Sequence, residues 1–123
     1  MNIIIDTHIF MWALAAPSKL SETNLSALED YSNTIYISSV SIAELMIKAS
    51  IGKFHIDFNP VDSAEESGFA LLDFSAKAAL LLKEMPFHHK DPFDRMLIAQ
   101  SISLNYPIMT QDPKIAQYNC QIL

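Results

Sequence analysis

The chain has 123 residues, half of them hydrophobic, enough for one sizeable core and too few for two ordinary domains, so residues 1–123 are expected to form a single domain. A formal charge of −6, from 14 acidic and 8 basic residues, excludes a broad basic nucleic-acid footprint, unless acids gathered around divalent cations make one spot neutral or positive. The lone Cys120 excludes an intrachain disulfide framework, and the N-terminal apolar run lacks a basic flank and breaks at Asp6 and His8, so a cytoplasmic location with no membrane partner is expected.

In chain order, "NIIID" reads as a buried strand that ends on the acid Asp6 and gives way to a helix. "SETNLSALEDYS" is a helix with Ser21 as its cap, and after the turn "YSN" the run "TIYIS" (Thr34 to Ser38) is a second strand. "SVSIAELMIKASIGK" follows as a deeply buried helix, capped by Ser38 or Ser39 and stopped at Gly52. A polar stretch leads to "FALLDF" as a third strand and to "SAKAALLLKEM", a helix capped by Ser75. "DPFDRMLIAQSISLN" starts a helix with Asp91 as cap and Pro92 in its first turn; "YPIMT" is a strand, "DPKIAQ" repeats the Asp-Pro start, and "CQIL" is a candidate last strand. Strands alternating with helices predict a three-layer α/β/α domain with a mainly parallel sheet, whose ligand site lies beyond the carboxyl ends of the strands.

That placement gives four acids a common location. Asp6 ends the first strand, and Asp112 follows the strand "PIM" by two residues. Glu44 lies in the first half of the helix after the second strand, and Asp94 in the first turn of the helix leading to "YPIMT". Their mutual repulsion would be costly unless cations or protons offset it. Each also has a structural use: Asp6 as a turn acceptor, Glu44 as a partner of Lys48, Asp94 beside a helix dipole, and Asp91 and Asp112 as caps before proline. Against a surface pair for Glu44, the apolar residues Val40, Ile42, Leu45, Met46 and Ile47 leave only a narrow polar stripe through Ser41, Glu44 and Lys48, which suits a cleft. Oxygen donors in this number fit Mg²⁺ or Mn²⁺ rather than zinc. His88 and His89 are expected to be solvated or at most to touch substrate. No nucleophile elbow and no Gly-rich phosphate loop is present.

The ordered segments "IIIDTHIFMW", "SSVSIAEL", "HHKDPFDRMLIAQS" and "IMTQD" resemble PIN-domain ribonucleases, in particular the VapC toxins of bacterial type II toxin–antitoxin pairs. The likeness runs over nearly the whole chain, and "DPFDRMLIAQ" is its most specific part. It implies a five-stranded parallel sheet between helices and a metal-dependent endoribonuclease. Carried over by position, Asp6, Glu44, Asp94 and Asp112 correspond to the acidic quartet; the step of 18 residues from Asp94 to Asp112 suits the family's last two acids better than a step from Asp91. Asp91 is left open as cap or ligand. Thr7 and Thr110 would orient carboxylates, Arg95 would contact phosphate or a neighbouring acid, and Lys48 and Lys90, with Lys53 and Lys114, would guide RNA. The implied partners are structured RNA, such as a tRNA or rRNA loop, a cognate antitoxin peptide that inserts a basic side chain among the acids, and a second copy of the chain in a homodimer. Two alternatives are a catalytically inactive PIN-fold binding module and a receiver-like signalling domain, though the latter would want paired acids after its first strand.

Overall fold

The computed structural model describes residues 1–123. Its elements are β1 (Asn2–Ile5), α1 (Thr7–Ala15), α2 (Glu22–Glu29), β2 (Thr34–Ser38), α3 (Ser39–Ser50), α4 (Pro60–Glu66), β3 (Ala70–Leu72), α5 (Ala76–Leu80), α6 (Pro92–Leu104) and β4 (Ile108–Met109). The four strands form one parallel sheet in the order β3-β2-β1-β4, with Ile5 opposite Ile37 on one side and Met109 on the other. Alternation along the strands divides the core between the two faces. Ile3, Ile5, Ile35, Ile37 and Met109 pack with Ile9 and Phe10 of α1, Leu45 of α3 and Ala64 of α4. On the other face Ile108 packs with Val40 of α3, Ala78 of α5 and Leu97, Ile98 and Ala99 of α6. Helices thus cover both faces of the sheet, giving the expected three layers.

Side-chain caps place the helix starts where the residue types predict. Ser21, Ser38 and Ser75 each accept a main-chain N–H from the first turn of α2, α3 and α5, and Asp91 does so for α6. Three expectations are corrected. The stretch read as merely polar contains α4, with Asn59 accepting from Val61 N and Asp62 N and Pro60 pre-set for the first turn. The helix from Ser75 ends at Leu80 and tightens into a 3₁₀ turn at Leu81–Lys83. The fifth strand is reduced to a single parallel bridge between Ile122 and Ile108. β4 has only two residues to offer, between Pro107, which has no N–H, and Thr110, where the side chain turns to Asp6.

From β1 the chain moves outward to β2 and β3, then returns to the far side of β1 as β4. The strand order reverses at β1, so a crevice opens at the carboxyl ends of β1 and β4, the usual ligand position in such sheets. No helix is long and apolar enough to cross a membrane.

Candidate active site

Asp6 stands at the mouth of that crevice, only 3% exposed. Its main-chain N–H continues the ladder to Met109 O at 3.1 Å, which holds the residue in line with both strands. Oδ1 accepts from Ile9 N at 2.8 Å and caps α1; Oδ2 accepts from the Thr110 hydroxyl at 2.5 Å, across the crevice from β4. Burial raises the Asp6 pKa, and the Thr110 and Ile9 hydrogen bonds and the nearby His8 pull it back. The turn-acceptor use and the crevice location therefore coexist, one on each oxygen.

Asp94 and Asp112 meet beside it through a residue expected to be solvated or at most to touch substrate. His89 is buried, and its Nε2 lies 2.9 Å from Asp94 Oδ2 and 3.0 Å from Asp112 Oδ2. Its Nδ1 accepts from Asp91 N at 3.1 Å, so Nδ1 carries no proton and Nε2–H points between the two carboxylates. The three ligand atoms lie within 4.8 Å of one another. Asp94 is pushed up to about 6, chiefly by burial, next by the charge of Asp91, with Glu44 and Asp6 adding and His89 opposing. Asp91 itself is the α6 cap, its Oδ1 accepting from Phe93 N at 2.8 Å and Asp94 N at 3.4 Å. Asp112 is braced by Lys114 N on Oδ1, while its own N–H donates to Thr110 Oγ1 at 3.0 Å.

Glu44 comes from α3 and is buried, with the Thr7 hydroxyl 2.7 Å from Oε1 and Lys48 Nζ 2.6 Å from Oε2. Ser41 Oγ lies 2.9 Å from Thr7 Oγ1 and completes the polar stripe. The pair with Lys48 does form, but within the cleft rather than on an outer face. Lys48 is raised mainly by its hydrogen bond to Glu44, and the charges of Asp91 and Asp94 also act on it. All four acids of the quartet thus carry donors supplied by the chain: Thr110 for Asp6, His89 for Asp94 and Asp112, and Thr7 with Lys48 for Glu44. Carboxylate oxygens gathered in this number are donors suited to a hard divalent cation.

The family model of the PIN domain matches residues 3–119. The chain belongs to the PIN-domain family. PIN domains are in general nucleases, and this assignment displaces the receiver-like alternative. No curated protein sequence matches the chain. Among solved structures, VapBC2 from Rickettsia felis, bound to a DNA fragment from its promoter, aligns with a TM-score of 0.72 at 21% identity over 100% of this chain and 98% of that one. DNA-bound VapBC from Salmonella typhimurium aligns with a TM-score of 0.71 at 17% identity, covering 100% and 97%. The PIN domain endonuclease Utp24 aligns at 0.54 and 21% identity, covering 94% and 74%. At these identities the likeness establishes the shared fold.

Arg95 of this PIN domain corrects the expectation of a phosphate contact. It is buried, and its guanidinium donates to the carbonyls of Pro86 at 2.7 Å, Met85 at 3.2 Å and Leu82 at 3.3 Å, and to Tyr118 Oη at 3.2 Å, while stacking 4.1 Å from the Phe87 ring centre. Tyr118 Oη in turn accepts from His89 N at 2.9 Å and donates to Pro86 O at 2.7 Å. A planar five-donor group satisfies this set of carbonyls where a lysine could not. Arg95 and Tyr118 thereby tie the 82–89 segment to α6 and deliver His89 to the acids. Lys90 is exposed just before α6, and His88 packs edge-on against Tyr118.

Two outcomes follow from this geometry. Arg95→Lys should lower unfolding free energy by roughly 2–4 kcal/mol in urea, since buried carbonyls lose their donors; unchanged stability would show that the guanidinium does not hold residues 82–89 to α6. The second concerns Asp94 in EDTA. The folded carboxyl keeps its proton to about pH 6, whereas the unfolded one releases it near 3.8, so this group favours folding below about pH 4 and loses that contribution as pH rises through 6. Asp94→Asn should therefore raise the unfolding midpoint at pH 7 by roughly 3 °C or more, with the gain fading below about pH 4. Equal midpoints at pH 7 would show that the cluster is not under charge strain.

Proposed function

We propose that this PIN domain is a divalent-metal-dependent endoribonuclease, the toxin of a type II toxin–antitoxin pair, that hydrolyses phosphodiester bonds in structured RNA such as tRNA or rRNA loops. The observation that carries the reading is the cluster of Asp94, Asp112 and His89 ligand atoms within 4.8 Å of one another at the β1–β4 crevice, with Asp6 lining the recess beside Asp112 and with the charges of Asp6 and Glu44 acting on Asp94. The shared fold of VapBC complexes and of an endonuclease supports the class of activity and an antitoxin partner, and a homodimer is part of the same proposal.

Asp6, Asp94 and Asp112 would hold Mg²⁺ or Mn²⁺, with Glu44 as a further ligand or as the group that positions the attacking water. When bound, the cation supplies Lewis acidity, making water a better nucleophile and offsetting charge that develops on the phosphate. Thr110 and Thr7 fix the orientation of Asp6 and Glu44. Lys48 donates to Glu44 Oε2 and presents an ammonium beside the acids, where it would meet a phosphate oxygen of the substrate. Asp91 is proposed to act through its charge and its cap rather than as a ligand. Lys48 and Lys90, with Lys53 and Lys114, supply the limited positive charge that guides RNA on an acidic protein. Unpaired loops suit the site because their bases can be splayed out of the stack.

The test is cleavage of a structured-RNA pool by the antitoxin-free protein. Wild type should cut with Mg²⁺ or Mn²⁺ and stop with EDTA; Asp6→Asn and Asp94→Asn should lose on the order of 100-fold or more, and Thr110→Val about 10- to 100-fold, all with the fold intact. Equal cutting by wild type and the Asn variants would place the activity elsewhere. Folded wild type that never cuts would favour the inactive binding module.

A further inference from the structure

Beside the acids lies a recess of about 340 Å³ lined by Asp6, His8, Trp12, Gln111, Asp112 and Pro113. We infer that it is a nucleobase subsite in which an unpaired base of the bound RNA stacks on Trp12 and is read by the Gln111 side chain. This deepens the ribonuclease reading and rests on it.

The placement follows from α1. Asp6 caps the helix, and His8 and Trp12, one turn apart, project from the same side of it with ring centres 6.0 Å apart and planes tilted by 50°. Trp12 is only half-buried: part of the ring packs against the core around Ile9 and Phe10, and the rest lines the recess. An indole anchored in this way is a rigid stacking platform. On the opposite wall, after β4, Gln111 is exposed and carries both a donor and an acceptor, the pair needed to read a base edge. Two of the walls are Asp6 and Asp112, the acids proposed to hold the cation, so a scissile phosphate drawn to that cation would bring its own nucleoside beside the recess.

The chemistry favours a neutral flat ring over a charged group. A phosphate would meet two carboxylates in the recess. The carboxylate oxygens are already engaged by the protein: Asp6 by Ile9 N and Thr110, Asp112 by Lys114 N and His89. The indole face, the exposed His8 imidazole and the Gln111 amide remain as the free recognition groups. The volume lies within the range of about 300–1,000 Å³ typical of small-ligand pockets. Stacking on Trp12 tolerates any base, because each has a π-face, so preference among bases falls to the edge-reading groups, Gln111 foremost with His8 beside it.

Trp12 is the only tryptophan, so its emission reports on the recess alone. The experiment titrates the protein with unlabelled hexauridylate, hexaadenylate and a hexamer of baseless ribose phosphates for emission, and with fluorescein-labelled copies for anisotropy alone, in Ca²⁺, which takes oxygen ligands as Mg²⁺ does. Both base-carrying hexamers should quench Trp12, and the baseless one should not. By anisotropy, Trp12→Ala should bind the hexamers about tenfold more weakly and Trp12→Phe, which keeps a ring and most of the packing, only about threefold. Gln111→Ala, at an exposed position, should narrow the difference between the uridylate and adenylate hexamers. Equal binding of the baseless hexamer, or unchanged constants in folded Trp12→Ala and Trp12→Phe, would overturn the subsite. So would an acetylated arginine amide that quenches Trp12 while the hexamers do not, which would assign the recess to a protein partner. Parallel tubes with Mg²⁺ separate the two claims. Cleavage without quenching sinks the subsite alone, and quenching without cleavage sinks the nuclease reading alone.

Discussion

Carboxylates drawn from distant parts of the chain into one crevice repel one another, and the rest of the site is organised around offsetting that repulsion. Each acid is met by a donor from a different element: Thr110 after β4 for Asp6, His89 before α6 for Asp94 and Asp112, Thr7 of α1 and Lys48 of α3 for Glu44. The offset is incomplete: Asp94 remains raised, first by its burial and then by the charges of Asp91, Glu44 and Asp6. A site left under this much charge strain is poised for a cation, which is the physical link between the fold and the proposed activity.

The parallel sheet makes such convergence possible. All four strands point the same way, so every residue that follows a strand arrives at one edge, and the reversal at β1 opens a gap there for side chains to fill. Asp6 shows that structural and chemical uses of an acid do not compete: one oxygen closes the first turn of α1, and the other faces β4. The same helix start that needs Asp6 as cap carries Thr7 toward Glu44 and sets His8 and Trp12 along the recess.

Much of this was legible in the residues. Short runs rich in β-branched and aromatic residues located the strands, and Ser21, Ser38, Ser75 and Asp91 located helix starts, because both signals are local. The candidate acids could be listed for a similar reason, since parallel topology turns position after a strand into position in space. What escaped depends on contacts remote in sequence. His89 sits in a polar loop and looks solvated until Arg95 and Tyr118 pull residues 82–89 against α6. Arg95 looked like a phosphate ligand because it adjoins Asp94, yet a helical neighbour points some 100° away, here into a ring of carbonyls. α4 was hidden because its seven residues offer too short an apolar period, although Asn59-Pro60 is a start signal.

The most direct measurement is a crystal structure of the protein soaked in Mn²⁺, with the ion located by its anomalous scattering. Manganese is expected at the β1–β4 crevice, bound by oxygens of Asp6, Asp94 and Asp112 directly or through water, and lost from Asp94→Asn crystals. Manganese bound elsewhere, or an empty crevice with His89 still bridging Asp94 and Asp112 at saturating metal, would contradict a metal-binding role for these acids.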